Sequence, residues 1–272
     1  MTEFLFVLAV LVLLVLFLVR PGRVDPMQEA KFRGRNFAHR GLYTKDQKVP
    51  ENSLTAFENA AAAGYGIELD VQLSKDGEVV VFHDDTLDRV TGTAGRVDHF
   101  LLEELKKMPL FGTDQRIPLF REVLETINGR VPLIVEFKTG PRNRELCKKT
   151  WELLQEYAGD FCVESFDPRI VGWFKSNVPH ILRGQLACGY RDYKRKTFAF
   201  IGSRMLCNFL GRPQFIAWGS DRKNCMVRLC EAFGPVKIRW NTRDPQAAPD
   251  IEQEYDAVIF EHYAPSPEYN KE

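Results

Sequence analysis

The chain has 272 residues, 44% of them hydrophobic, and its 37 basic side chains balance its 37 acidic ones. This length and composition suit a folded domain with a large core, while the neutral balance, without a basic block or zinc-finger spacing, argues against a nucleic-acid partner. The six cysteines show no C-x-x-C pair, so we expect reduced, structural thiols rather than a disulfide or zinc framework.

The N-terminal region contains an unbroken apolar run from Phe4 to Val19. As a helix this run would be about 24 Å long, slightly less than the roughly 30 Å core of a bilayer, and Arg20 could snorkel to the interface. No basic residue precedes the run and no small-residue cleavage site follows it, which disfavours a cleaved signal peptide. We therefore predict a single-pass transmembrane anchor over residues 1–20. Basic residues cluster just after it, so the positive-inside rule places the large domain on the cytoplasmic side.

Residues 21–34 are mostly polar and contain two prolines, which predicts a linker. From residue 35 to residue 264, short strand-like runs alternate with stretches of helical periodicity, and residues 265–272 are predicted to be a tail. The predicted strands are Asn36–His39, Gly66–Val71, Val131–Glu136, Phe161–Ser165, Ile181–Leu186, Gln214–Trp218, Val236–Trp240 and Ala257–Phe260. The predicted helices are Leu54–Ala63, Leu119–Ile127, Arg144–Tyr157, Pro168–Asn177, Arg222–Phe233 and Pro245–Glu254.

Eight strands alternating with helices predict an α/β fold, namely a parallel (β/α)8 TIM barrel. An open doubly wound sheet is the alternative, but the first strand is followed by His39-Arg40-Gly41 rather than by a glycine-rich phosphate loop. Residues 77–118 interrupt the alternation with a short strand at Val79–Phe82 and a short helix from Leu101 to Met108. We predict a small insertion there, after the second barrel strand.

Three carboxylates occur at the ends of neighbouring predicted strands. Glu68 and Asp70 are two residues apart and therefore point to the same face of their strand, and Glu136 ends the next barrel strand. Like charges brought together at a barrel mouth repel strongly unless a cation neutralises them. Because all the ligands are oxygens, the sequence predicts one divalent ion, Mg²⁺ or Ca²⁺, rather than zinc. Ion pairing at a solvated sheet edge is the alternative.

Two histidines lie beside these acids: His39 ends the first strand and His83 lies on the insertion. Cleaving a phosphodiester needs a base and an acid, and histidine titrates near neutral pH. Arg40 can hold a phosphoryl oxygen with its planar guanidinium, and Lys138 adds a point charge.

Pro50-Glu51-Asn52-Ser53 precedes the first helix of the barrel. Asn52 or Ser53 can cap that helix. Alternatively, Glu51 and Asn52 lie at the barrel mouth and support Arg40 or the metal.

The ordered set of motifs resembles the glycerophosphodiester phosphodiesterase family over residues 36–261. The motifs are His39-Arg40-Gly41, Pro50–Ser53, Glu68–Val71, His83-Asp84, Asp88–Gly92, Ile117–Leu119, Glu136–Lys138 and Ser165–Pro168. The resemblance implies a TIM barrel with a small insertion and a divalent metal on Glu68, Asp70 and Glu136. It also implies His39 and His83 as the acid/base pair, with Arg40 and Lys138 on the phosphate. In such enzymes a neighbouring glycerol hydroxyl is thought to attack phosphorus first, giving a cyclic phosphate that water opens.

The last third of the chain departs from the family pattern. Trp240-Asn241-Thr242-Arg243 stands where the family usually has Trp-Thr-Val-Asn, and Phe260-Glu261 replaces Thr-Asp. Trp240 can still form a wall of the pocket.

The predicted reaction is hydrolysis of glycerophosphodiesters to glycerol 3-phosphate and an alcohol. A membrane anchor favours lipid substrates, so a lysophospholipase D acting on lysolipids is one alternative. Residues Arg191 to Trp218 mix basic and apolar side chains. This composition suits an interfacial helix or lid on anionic lipid, but equally an ordinary loop with a barrel helix. A non-catalytic, phosphate-binding membrane scaffold is the third possibility. It would normally lack an acid, a base or a metal ligand, and this sequence lacks none.

Overall fold

A computed structural model describes residues 1–193 and 196–270 of the chain. The nine strands are β1 (Arg35–His39), β2 (Gly66–Leu73), β3 (Val79–Val81), β4 (Leu133–Phe137), β5 (Phe161–Ser165), β6 (Arg183–Ala187), β7 (Phe215–Trp218), β8 (Val236–Thr242) and β9 (Ala257–Phe260). The helices are α1 (Thr2–Val19), α2 (Pro26–Glu29), α3 (Leu54–Ala62), α4 (Asp88–Thr91), α5 (Leu102–Leu105), α6 (Phe120–Ile127), α7 (Asn143–Leu154), α8 (Pro168–Asn177), α9 (Lys196–Gly202), α10 (Asn208–Gly211), α11 (Cys225–Glu231) and α12 (Ala248–Glu254), with a short 3-10 turn at Val97–His99.

Eight of the strands form a closed parallel barrel in the order β1-β2-β4-β5-β6-β7-β8-β9, with β9 pairing back to β1. The predicted TIM barrel is therefore confirmed, and strand ends differ from the prediction by one or two residues. Successive side chains along each strand point alternately into and out of the barrel. On β2, Ile67, Leu69 and Val71 face outward and pack with residues of α3 and α6, so Glu68 and Asp70 face the barrel interior.

The lower half of the barrel interior is apolar. Side chains from seven strands meet there, and they include Phe37, Ile134, Cys162, Leu186, Phe215, Ile238 and Ile259. Gly184 on β6 leaves room for this packing, because a Cβ at that position would collide with the ring of Phe215. The carboxyl ends of the strands, where TIM barrels in general carry their active sites, lie at the opposite end of the barrel.

The segment predicted to be a linker is packed against the barrel. Phe32 is buried and stacks on Phe37, with ring centroids 6.1 Å apart, so it closes the N-terminal end of the barrel. Asp25 caps α2 by accepting a hydrogen bond from the backbone N–H of Met27. The predicted tail also packs, because the N–H of Asn36 donates to Pro267 and that of Tyr269 donates to Gly34. Residues 21–34 and most of 265–272 are thus parts of the folded domain.

The predicted insertion is confirmed between β2 and β4. β3 pairs antiparallel with β2 outside the barrel, and the segment has its own apolar core. All six cysteines are free, as expected, and four of them are buried.

Helix α1 is apolar along its whole length, with a mean hydropathy of 3.0, and only its C-terminal end is covered by the rest of the chain. By length and composition it can cross a membrane, and an N-terminal signal sequence has the same character.

Candidate active site at the carboxyl ends of the barrel strands

The three predicted carboxylates converge inside the barrel mouth. β2 and β4 pair in a register that places Glu136 directly beside Asp70. One oxygen from each of Glu68, Asp70 and Glu136 lies within 4.8 Å of the others, and all three side chains are buried. This spacing follows from the inward pointing of residues 68 and 70 on one strand and of residue 136 on its neighbour.

Burial gives this cluster an unusual electrostatic character. Loss of solvent, together with the neighbouring acids, raises the pKa of Glu68 well above its usual value, and burial likewise raises that of Glu136. Burial acts in the same direction on Asp70, but Lys138, His83 and Arg40 lower its pKa overall. The Oδ1 atom of Asp70 accepts no hydrogen bond from the described residues; Lys138 Nζ lies 3.2 Å from it. A buried all-oxygen set with an unsatisfied acceptor fits a hard divalent cation.

Glu164 is a fourth buried acid that the sequence analysis did not single out. It lies on β5 directly beside Glu136, and its Oε2 has no hydrogen-bond partner in the described part of the chain. Burial and the nearby acids raise its pKa well above the usual range. The available signal in the sequence was its position, one residue before the end of the predicted fourth strand, Phe161–Ser165.

His39 lies at the end of β1, paired in register with Glu68, and its Nε2 is 3.9 Å from Glu68 Oε2. Its Nδ1 lies 2.6 Å from Glu261 Oε2. The pKa of Glu261 is held far below its usual range despite burial, because it accepts hydrogen bonds from His39, Tyr43 and Arg243. An ionised carboxylate can only accept, so Nδ1 of His39 carries the proton. Burial and Arg40 lower the pKa of His39, which leaves the Nε2 lone pair free on the side of the three carboxylates.

His83 has the same arrangement on the other side of the site. Its Nδ1 lies 2.6 Å from Asp84 Oδ1, and Arg89 Nε donates to Asp84 Oδ2 at 2.6 Å. Arg89 also donates to both oxygens of Glu51. Burial, followed by the charge of Lys138, lowers the pKa of His83. Both predicted histidines therefore have a carboxylate on Nδ1, which sequence reasoning did not foresee.

Arg40 is held in a strained backbone conformation, with φ of 57°. Its backbone N–H donates to Glu68 Oε2 at 2.9 Å, and its Nη1 donates to Glu51 Oε1 at 2.7 Å. The buried Nε of Arg40 has no hydrogen-bond acceptor among the described residues and lies 3.6 Å from Asp70 Oδ2. This N–H is therefore a spare donor beside the carboxylate cluster of Glu68, Asp70 and Glu136. Lys138 Nζ donates to Glu136 Oε1 at 2.7 Å.

The Pro50–Ser53 motif combines both of its predicted uses. Ser53 caps α3, because its Oγ accepts a hydrogen bond from the N–H of Ala56. Asn52 instead donates from Nδ2 to Asp70 Oδ2 at 2.8 Å, and Glu51 pairs with Arg40. The same turn thus starts the helix and supports the carboxylate cluster.

Trp240 lies on β8, where its Nε1 donates to the backbone oxygen of Ala217 at 3.0 Å. Its ring contacts Phe166 edge-to-face, with centroids 5.5 Å apart, and Phe166 contacts Tyr193 in the same way at 6.1 Å. Phe166 follows β5, and Tyr193 lies in the connection from β6 to β7. Three aromatic rings thus line one side of the mouth.

Comparison with known proteins gives one consistent result. The sequence model of the glycerophosphoryl diester phosphodiesterase family matches residues 39–255. A glycerophosphodiester phosphodiesterase of Caldanaerobacter subterraneus is 40% identical over 223 residues, which cover 72% of this chain and 89% of that protein. A lysophospholipase D of Rattus norvegicus is 32% identical over 155 residues, or 52% of this chain and 48% of its own length.

Solved structures share the fold. A phosphodiesterase of Oleispira antarctica, solved with the product sn-glycerol-3-phosphate, superposes with a TM-score of 0.70 at 24% identity, covering 85% of this chain and 94% of its own. A glycerophosphodiester phosphodiesterase of Thermotoga maritima gives a TM-score of 0.64 at 27% identity, covering 83% and 93%.

Proposed function

Because this chain belongs to the glycerophosphoryl diester phosphodiesterase family, we propose that it hydrolyses glycerophosphodiesters to glycerol 3-phosphate and an alcohol. The observation that carries the proposal is the meeting of three buried carboxylates with two histidines, each oriented by a carboxylate, at the barrel mouth. A metal-binding cluster beside two proton carriers is what hydrolysis of a phosphodiester requires.

Glu68, Asp70 and Glu136 would hold one Mg²⁺ or Ca²⁺ ion, whose positive charge would offset that of the carboxylates and of the phosphoryl oxygens. Arg40 contributes its unused Nε–H as a donor to a phosphoryl oxygen. Lys138, which pairs with both Glu136 and Asp70, places a second positive charge on the same side. Trp240 and Phe166 would enclose the glycerol or alcohol part of the substrate.

We assign the proton transfers to His39 and His83. In the cyclising route expected for this family, a glycerol hydroxyl attacks phosphorus. One imidazole accepts the proton of this hydroxyl, and the other donates a proton to the departing alcohol oxygen. Water then opens the cyclic phosphate with the two roles exchanged. Glu261 and Asp84 hold the Nδ1–H of the two rings and stabilise each imidazolium as it forms.

The test of this assignment is turnover by the full-length protein. We expect it to release choline and glycerol 3-phosphate from glycerophosphocholine when Mg²⁺ or Ca²⁺ is present, and to lose this activity in a chelator. A protein that binds the diester without cleaving it, with either ion, would instead be the phosphate-binding scaffold.

Glu261 gives a prediction specific to this chain. Glu261→Gln replaces an acceptor-only group by an amide that can donate to Nδ1 and select the wrong tautomer of His39. By analogy with orienting acids elsewhere, we expect kcat to fall at least about 100-fold while KM changes little. Tyr43→Phe is the matched control, because it removes only the 2.8 Å hydrogen bond from Tyr43 to the same carboxylate. Equal decreases in kcat in the two variants would show that Glu261 supports the packing of the site and does not select the tautomer of His39.

The lysophospholipase D alternative is favoured by two observations: the apolar helix α1 and the similarity to the rat lysophospholipase D. We propose that α1 is a membrane span and that the barrel lies on the cytoplasmic side. Release of choline or ethanolamine from lysophospholipids by the same full-length protein tests this substrate class.

A further inference from the structure

The C-terminal end of helix α1 is held directly against the barrel by hydrogen bonds. The side chain of Asn208 donates to the backbone oxygen of Val19 at 2.8 Å, and Arg212 Nη1 donates to the oxygens of Phe17 and Arg20, each at 2.8 Å. Just beyond, the N–H of Gly22 donates to Pro213. The attachment is at α10, immediately before β7, at the end of the barrel away from the catalytic groups. Since residues 21–34 are packed as well, the barrel cannot swivel freely on α1.

The described parts of the connection between β6 and β7, residues 188–193 and 196–214, contact the barrel mouth at one end and this attachment at the other. Near its start, Tyr193 contacts Phe166 in the aromatic wall of the mouth. At its end, α10 touches α1, and Phe209 packs on Phe17 with ring centroids 5.8 Å apart. The same connection therefore has contacts both at the active site and at α1.

The outward surface of this connection is apolar and basic. Five of the nine large hydrophobic side chains that are exposed outside α1, among the described residues, belong to it: Tyr190, Phe198, Phe200, Ile201 and Leu210. Phe198 is 63% exposed and Phe200 54% exposed, and the guanidinium of Arg204 lies 4.0 Å from the ring centroid of Phe200. In sequence, residues 188–214 contain six basic side chains and one acidic one, Asp192. Aromatic rings beside basic groups match the interface of an anionic bilayer.

We propose that this surface, formed by Phe198, Phe200, Ile201, Leu210 and Arg204, lies against the headgroup layer of an anionic membrane. Helix α1 anchors the end of the connection at α10, and contact of this surface with the membrane places the barrel mouth next to the bilayer. A phosphodiester on a single-chain lipid can then reach the metal cluster without leaving the membrane completely. The inference rests on the proposed function and extends its substrate class from soluble diesters to lipid-borne ones.

The test uses the full-length protein in vesicles of phosphatidylglycerol and phosphatidylcholine. Turnover is measured on soluble glycerophosphocholine and on lysophosphatidylcholine carried in the vesicles. We expect the double variant F198S/F200S to lose about tenfold in kcat/KM on the vesicle-borne substrate, because two aromatic contacts with lipid are removed. Turnover of soluble glycerophosphocholine should stay unchanged, and this result would also show that the variant is folded. Leu101→Ser is the matched control, since Leu101 is an exposed apolar residue on the insertion beside β2.

A second measurement does not depend on catalysis. Lipids with brominated acyl chains should quench the extra fluorescence of Phe198→Trp, relative to the unsubstituted protein, and should not quench that of Leu101→Trp. Unchanged lysolipid turnover in F198S/F200S together with no quenching at residue 198 would overturn the membrane contact while leaving soluble hydrolysis intact. If the unsubstituted protein cleaves the soluble diester alone, the lipid substrate class is overturned. If the unsubstituted protein cleaved neither substrate, the proposed function would be refuted. Quenching at residue 198 would still show whether this surface contacts the membrane.

Discussion

Replacing His39 by alanine is expected to lower kcat on glycerophosphocholine by about 10³-fold, within the range that general acid–base catalysis contributes. The reason is positional. The ring is largely buried, its Nδ1–H is held by Glu261, and its Nε2 lies 3.9 Å from Glu68, so its lone pair faces the carboxylate cluster. KM should change much less than kcat, because Arg40 and Lys138 remain to hold the phosphate.

The same experiment separates catalysis from folding. His99→Ala is the control, because the side chain of His99 is 67% exposed on the insertion and is not one of the residues of the site. We expect His83→Ala to be as damaging as His39→Ala, and the double variant to be little worse than either, since the two rings act in one reaction. Measurable turnover at more than about a tenth of the normal rate in His39→Ala would contradict the proton-transfer assignment.

The parts of the site that could be predicted from sequence are those set by short-range geometry. Glu68 and Asp70 share a face because side chains alternate along a strand, and Glu136 joins them because parallel strands end together. His83 could be placed near them since its insertion must return to β4. These inferences need only the strand assignment, which the apolar runs provide.

Contacts across long sequence separations could not be predicted in this way. Glu261 lies 222 residues after His39 and becomes its partner only because β9 closes the barrel against β1. In sequence it was merely a departure from the family pattern. Phe32 is flanked by Lys31 and Arg33, so no periodicity marked it as the residue that closes the barrel. Residues 21–34 are held against the barrel by the side chain of Phe32 and by hydrogen bonds with Pro213 and Gln214, which are distant in sequence.

Adding a divalent ion should change both the stability and the activity of the protein, because of the carboxylate cluster. Glu68 is buried beside Asp70 and Glu136, and charge on all three is unfavourable without a cation. At an ion concentration of 100 times Kd, binding stabilises the native state by about 2.7 kcal/mol, which raises the Tm of a domain of this size by about 5–10 °C. We expect this rise for the full-length protein on adding Mg²⁺ or Ca²⁺, together with the appearance of phosphodiesterase activity.

Glu68→Gln should uncouple these two properties. In a chelator its Tm should equal or exceed that of the unsubstituted protein, because the substitution removes a buried acid from a cluster of like charges while keeping an acceptor for the N–H of Arg40. On adding the ion, most of the Tm increase and nearly all of the activity should be missing, since a neutral amide oxygen is a weaker ligand than a carboxylate. Glu164→Gln is the matched control, because Glu164 is buried in the same mouth but lies outside the three oxygens that converge. Its ion-induced rise in Tm should persist. If Glu68→Gln kept the full rise and Glu164→Gln lost it, the ion would be bound around β5 instead, and Glu68 would have to be removed from the ligand set.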